Sequence, residues 1–424
     1  MAQRRILTRK RASETNLQSA KAFKLLAREP DANINAMGCY LPEDLILEIL
    51  IRLPVKSLAR FRCVCKHWHS FLTNHKFATN HMIRAQENPN AQKVICFNFD
   101  SSLYRVNPDK FETLIYFDKR NMISVNPSAY DKITTLPTEK NSKMLLATLG
   151  SCNGLIFLNY GWRIFYLFNP VTGECRRYLF NQPRPEYDHR RGGDKLKLKA
   201  IFAFGYDSST EDYKFVRFRT DEESFRLRVF SLENNSWRKP KTNVQDTPNQ
   251  LIIPNLEILP AVQVGGFLHW QVISPNPDSI FTLDLAQEKF GQLINIPRDP
   301  NEEAKIIGVG VLHGCLCVTR KSIGYTQGCS IWAMKEYGVA ESWTKLIKLK
   351  ALRLDRTRVF PICYIKEGRV LLVQNDYETI LYDLEKQSFT ESGMPIEQMA
   401  TSYVESLISP NYNREIKKTR SFRF

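Results

Sequence analysis

Two groups of sulfur and imidazole side chains could do chemistry at their spacing: Cys63, Cys65 and His67, and His313, Cys315 and Cys317. Thiolate and imidazole are the donors that zinc takes in tetrahedral sites. Alternate residues of a strand share a face, so the second group could ligate a metal; the simpler reading of the same alternation is a pair of core thiols. The first group falls in a predicted helix, where two-residue spacing points the thiols in diverging directions. Neither group has a CxxC pair, and the ten cysteines are scattered along the chain, which predicts reduced, mostly buried thiols. No cofactor or metal is expected from this pattern.

The commoner catalytic signatures are missing. The chain has no phosphate-cradling GxxxxGK[ST], no HExxH, no EF-hand loop and no GxSxG elbow. Its 7 histidines are dispersed rather than grouped with acids. A stand-alone enzyme therefore remains an alternative without a named catalytic residue. A second alternative, a basic nucleic-acid-binding β-protein, takes its support from the formal charge of +16. That excess lacks a motif with interleaved aromatics, and much of it sits in the terminal segments, in Arg4, Arg5, Arg9, Lys10 and Arg11 and again in Arg414, Lys417, Lys418, Arg420 and Arg423. Nucleic acid is accordingly not the expected partner. No run approaches the ~18 apolar residues that would cross a bilayer, and MAQRRILTRKRASE has no apolar signal core, so no membrane partner is expected. The expectation is a soluble chain of the nucleus, the cytoplasm or both, with RRILTRKR as a loose basic localisation signal.

Hydrophobic periodicity divides the 424 residues. Residues 1–36 are polar and basic and read as a flexible arm, 37–84 have helical spacing, 85–93 form a linker, 94–400 alternate in short β-like runs, and 401–424 read as a basic tail. In the helical part, Leu41-Pro42-Glu43-Asp44 starts a helix: proline is tolerated where no amide partner is needed, and the acids complement the dipole. Leu45, Ile46, Ile49, Leu50 and Leu53 then recur at helical steps until Pro54. A second helix is predicted from Val55–Ser57 through Leu58, Phe61, Val64, Cys65, Trp68, Phe71 and Leu72. So small a segment has too little interior for all of these side chains, and part of its apolar surface should face a partner.

The run Leu41 to Leu50, then Leu53-Pro54-Val55-Lys56-Ser57-Leu58, then Phe61 to Trp68, closely resembles an F-box, matched in order from end to end. That resemblance implies a three-helix module that inserts leucines and Leu-Pro turns into a Skp-type adaptor, which docks on a cullin scaffold. The partner-facing or partner-supporting residues it implies are Leu41, Pro42, Leu45, Ile49, Leu53, Pro54, Leu58, Cys65 and Trp68.

The larger region repeats a Gly-led apolar strand, a turn, and a strand ending in a polar turn. Five passages carry it, starting at Cys152-Asn153-Gly154, Phe204-Gly205-Tyr206, Gly265-Gly266-Phe267, Leu312-His313-Gly314 and Glu367-Gly368-Arg369. Their period of roughly 50 residues is that of a four-stranded blade. The expected fold is thus α+β and multidomain: a small helical module followed by a mainly-β domain, a degenerate kelch-like β-propeller, with a β-sandwich as the alternative. Gly154-Leu155-Ile156 with Asn169-Pro170, Gly205-Tyr206-Asp207 with Asp212-Tyr213-Lys214, and Gly266 to Trp270 resemble the associated domain of plant F-box proteins. The combination implies a non-catalytic substrate-recognition subunit of a Skp–cullin–F-box ubiquitin ligase, bridging the adaptor to a target protein marked for degradation. Loops 181–199 and 240–250, the first with Arg184, Arg190, Arg191, Lys195, Lys197 and Lys199, are the candidate target contacts.

Overall fold

The computed structural model describes residues 42–88, 92–97, 102–106, 130–135, 146–160, 163–180, 187–188, 195–196, 199–220, 225–240, 261–271, 279–291, 294–297, 304–322, 328–349, 359–365, 368–374, 378–391 and 400–411.

Four helices open the described chain: α1 (Glu43–Leu50), α2 (Val55–Phe61), α3 (Lys66–Thr73) and α4 (His75–Gln86). The two prolines do the same job twice. Pro42 (φ −53°, ψ 145°) and Pro54 (φ −59°, ψ 141°) each occupy the position just before a helix, where a missing N–H costs nothing. The single second helix expected from the sequence is two helices. α2 stops at Phe61, and Cys65 is extended (φ −156°, ψ 167°), with its sulfur accepting from the Trp68 amide at 3.4 Å as the cap of α3. Asn74 caps α4 in turn, its Oδ1 accepting from the Lys76 and Phe77 amides. Among the described residues, four helices thus span 43–86. Helical spacing continued across the break because Leu58, Trp68 and Leu72 all reach the same core, which spacing alone cannot distinguish from one helix.

The β domain is a six-bladed propeller. Its first three strands are β1 (Gln92–Phe97), β2 (Ser102–Val106) and β3 (Tyr130–Thr135). Blade two is β4 (Leu146–Cys152), β5 (Leu155–Tyr160), β6 (Ile164–Phe168) and β7 (Cys175–Leu179). A small ribbon, β8 (Tyr187–Asp188) with β9 (Lys195–Leu196), precedes blade three: β10 (Lys199–Asp207), β11 (Asp212–Thr220), β12 (Phe225–Ser231) and β13 (Ser236–Arg238). Blade four is β14 (Val262–Val264), β15 (Phe267–Gln271), β16 (Ser279–Asp284), β17 (Lys289–Phe290) and β18 (Ile294–Asn295). Blade five is β19 (Ala304–Leu312), β20 (Cys315–Ser322), β21 (Cys329–Met334) and β22 (Trp343–Leu349). Blade six is β23 (Val359–Ile365), β24 (Arg369–Gln374), β25 (Glu378–Asp383) and β26 (Ser388–Glu391), and the chain returns in β27 (Thr401–Val404). All pairings are antiparallel, and β27 pairs with β1 at Gln92↔Val404, so blade one is built from both ends of the domain in the order β27-β1-β2-β3.

This closure corrects two expected boundaries. Residues 401–404 are the innermost strand of blade one, and Ser406, Leu407 and Ile408 beyond them are buried, so the domain runs past residue 400. α4 continues to Gln86, past the expected end of the helical part at 84, and β1 starts at Gln92, ahead of the expected 94.

Local chemistry explains why the five interior blades were visible. Asn153-Gly154, Gly265-Gly266 and His313-Gly314 have both φ values positive, the two-residue hairpin whose twist matches its strands. Asn169, Asp284 and Asp383 turn their side-chain oxygens back onto the amides two and three residues on, fixing the outer hairpins. Between blades two and three the core is aromatic: Phe157 stacks on Phe215 with ring centroids 4.2 Å apart, and Tyr178, Phe180, Phe204 and Phe230 close round them.

Candidate functional site

The residues expected at the adaptor sort cleanly by exposure. Pro42, Leu45, Ile49 and Pro54 are exposed, Leu45 at 49% and Ile49 at 39%. Leu53 and Cys65 are half-buried, while Leu58 (0%) and Trp68 (2%) lie inside. Leu41 is outside the described residues. α1 therefore turns Leu45 and Ile49, one helical turn apart, to solvent and Leu50 to the core. Ile83 of α4 is exposed at 50%, and sequence reading missed it. Its only signal is being out of phase with Phe77, Ala78, His81 and Met82, the buried face of α4.

The other side of the helical module is docked on the propeller. Leu50, Leu58, Trp68, Leu72 and Met82 share one cluster with Leu149, Leu155, Phe157, Leu407 and Ile408. The segment after β27 lies between the two bodies. Arg62 donates to the carbonyls of Leu407 (3.1 Å) and Leu72 (3.3 Å) and pairs with Glu174 at 3.5 Å, and Glu174 also accepts from the Ser409 hydroxyl. Asn169 Nδ2 donates to the Ser406 and Ile408 carbonyls at 3.0 and 2.8 Å, and the Ser406 hydroxyl donates to the Asn153 carbonyl. Each is a buried or half-buried polar group with a defined partner, which fixes the orientation of one body on the other.

A central cavity of about 420 Å³ runs between the innermost strands, with Thr148, Gly150, Gln263, Gly310, Ile362 and Ser402 among its walls. Gln86 and Asn88, at the end of α4, border it on the helical side. Inside, Gln263 bridges blades: Oε1 accepts from Cys152 Sγ (3.0 Å) and the Tyr206 amide (2.9 Å), and Nε2 donates to the Tyr206 carbonyl (2.6 Å). The helices sit at the end that carries the 153–154 hairpin and the 169–174 turn. Alternating strand direction puts the ends at Leu179, Lys199, Thr220 and Phe225 on the opposite face. The two expected target loops join strands at that opposite face; apart from β8, β9, Lys199 and Pro240 they lie outside the described residues.

The sulfur–imidazole groups do not assemble. Cys63 is exposed, Cys65 caps α3, and His67 packs edge-on against Phe71. His313 stacks on Tyr364, its ring 4.4 Å away, while Cys317 is fully buried and burial pushes its thiol up to about 12. Among the described residues no group of three His, Cys, Asp or Glu could hold a metal ion. The strongest buried charge cluster is structural in form: Lys214 Nζ lies 2.7 Å from Asp207 and 2.9 Å from Glu288, donates to the Leu285 carbonyl, and so ties blade three to blade four. Burial alone would raise the Asp207 carboxyl, but donation from Lys214, Ser209 and Thr210 holds it down at about 2.

The description "F-box associated beta propeller domain" matches residues 115–410, more than half of the chain, and "F-box domain" matches 39–80. The chain belongs to the F-box associated β-propeller family. It is similar to the F-box protein CPR1 of Arabidopsis thaliana, 28% identical over 393 residues that cover 87% of each chain. An F-box/kelch-repeat protein of the same plant is 26% identical, covering 88% of this chain and 96% of its own. These relatives make it a plant F-box protein, and its propeller is the family's associated domain. Chains that join an F-box to this propeller are typically non-catalytic substrate receptors of Skp–cullin–F-box ubiquitin ligases. Among solved structures, an oligogalacturonate lyase in complex with manganese aligns over 72% of this chain and 79% of its own, at 8% identity and a TM-score of 0.36, too loose to bear on activity.

Proposed function

We propose that this chain is the substrate-recognition subunit of a Skp–cullin–F-box ubiquitin ligase, working in the nucleus, the cytoplasm or both. The observation that carries the reading is the polarity of the helical module: one side is anchored to the propeller, and the opposite side leaves Pro42, Leu45, Ile49 and Pro54 in solvent. Those four, with Leu41 before them, make the contact with the Skp-type adaptor. Leu53, Leu58, Cys65 and Trp68 support it from within. Burying one leucine contributes roughly 1.5–3 kcal/mol, so a few such side chains supply much of a stable grip without charge.

The target binds at the face away from the helices, and the ubiquitin-charged enzyme reaches a target lysine because both are held on one scaffold, where proximity supplies the rate. The test is the affinity of the full chain for a purified Skp-type adaptor beside Leu45→Glu/Ile49→Glu, two exposed positions whose change leaves the module's core untouched. A loss of about a hundredfold or more, with an unchanged melting temperature, is expected. Adaptor binding by the variant at the parent's affinity, or none by the parent, would overturn the proposal.

A further inference from the structure

The wall of the central cavity differs in chemistry from the rest of the molecule. Asp, Glu, Lys and Arg make up 25% of the chain and leave it a formal charge of +16, yet none of them lines the cavity. The lining residues are of two kinds. Val262, Val264, Val309, Val311 and Ile362 bring apolar side chains, while Gln92, Ser151, Gln263, Thr401 and Ser402 bring uncharged polar ones. The volume of about 420 Å³ falls within the roughly 300–1,000 Å³ of small-molecule sites, whose walls combine apolar surface with a few polar groups in this way.

Every blade reaches the cavity through its inner strand. β27, β4, β10, β14, β19 and β23 each end their sheet, so each turns one edge to the axis. Such an edge carries peptide N–H and C=O groups, which are donors and acceptors without net charge.

One acceptor on this wall is unused. Gln92 Oε1 is buried and takes no hydrogen bond from any described residue. Leaving a buried acceptor unsatisfied costs stability, so its retention needs a reason. Gln263 is different, because Cys152 and Tyr206 occupy its amide and make it part of the wall. The side-chain hydroxyls of Ser151 and Ser402 also have no hydrogen-bond partner among the described residues. Gln92 stands opposite Val404, where the two ends of the domain close the ring, and Gln86 and Asn88 at the end of α4 border the same space.

We propose that the central cavity binds an uncharged small molecule, a compact ring bearing hydroxyl or amide groups, which donates to Gln92 Oε1 and exchanges hydrogen bonds with Ser151, Ser402 and the inner strand edges. An ionised ligand would leave water for a wall that offers no counter-charge, and that cost selects against it. A neutral hexose and a nucleoside both present the required chemistry. The inference concerns the propeller alone and does not depend on the receptor reading.

The probes are a panel of neutral hexoses and nucleosides, each beside its charged counterpart, the hexuronate or the nucleoside monophosphate. Each is titrated into the full chain and followed by saturation-transfer difference NMR and by melting temperature. At least one uncharged probe is expected to bind at least about tenfold more tightly than its charged counterpart and to raise the melting temperature, and its identity separates sugar from nucleoside. Gln92→Met, similar in length but without the acceptor, should weaken that binding about tenfold while the melting temperature of the free chain stays level or rises, because the unused buried acceptor is gone. A merely structural glutamine would give the opposite shift. Ser402→Leu, which fills the space, should remove binding. Binding of no uncharged probe, equal binding of the charged counterparts, or the parent's affinity in Gln92→Met would overturn the inference.

Discussion

Leu45 is 49% exposed and Leu58 is 0% exposed, so the same truncation should do opposite things at the two positions. Leu58→Ala opens a cavity in the core that joins helices to propeller and should lower unfolding free energy by about 2–5 kcal/mol, read from denaturant curves. Leu45→Ala should leave those curves within about 0.5 kcal/mol and weaken adaptor binding instead. His269 supplies a pH limb. It is fully buried, its Nδ1 donates to the Val262 carbonyl at 3.2 Å, and its Nε2 lies 2.9 Å from the Tyr337 hydroxyl. Burial lowers its pKa from 6.5 to about 4, against the pull of the backbone carbonyls. Between those values the unfolded chain holds a proton that the folded chain refuses, so stability is full above pH 6.5 and falls as pH drops toward about 4, by roughly 3 kcal/mol. Melting curves across that window should show the loss, and His269→Gln should flatten it.

At the scale of elements, the hairpins carried most of what the sequence made readable. Asn153-Gly154, Gly265-Gly266 and His313-Gly314 announce tight turns in any context, and the repeat they mark exposed five blades. The sixth was hidden because its strands come from opposite ends of the domain, β27 beside β1 and away from β2 and β3 in the chain, and no local pattern encodes pairing across that distance. For the same reason 401–404, rich in small and polar residues, read as tail. The exposed apolar pair Leu45 and Ile49 belongs to the readable motif, but spacing cannot separate it from the buried Leu58 and Trp68, since only the docked propeller decides which side of the module is covered. Docking also gives a test at Gly154. A Cβ there would strike Ser406 and the Val404 carbonyl at φ +80°, whereas Gly314 has a similar φ of +75° and nothing within 4 Å. Gly154→Ala should therefore destabilise by at least about 1 kcal/mol more than Gly314→Ala, which carries only the backbone term. Equal losses in thermal unfolding would contradict the close packing of the 405–411 segment.

The whole molecule is a connector with two ends. The helices and the propeller share one core, and Arg62 secures the segment between them through Leu407, Leu72 and Glu174. Arg62→Ala should loosen the module without touching the exposed stripe: amide exchange in α2 and α3 rises, while adaptor affinity changes by less than about threefold. The central claim, that the adaptor grips one end and leaves the other free, is tested most directly by amide hydrogen exchange of the full chain with and without a saturating Skp-type adaptor. New protection is expected in peptides covering 42–54 and none in those covering 199–231. Protection in blade three, or none in 42–54 when the adaptor is bound, would contradict it.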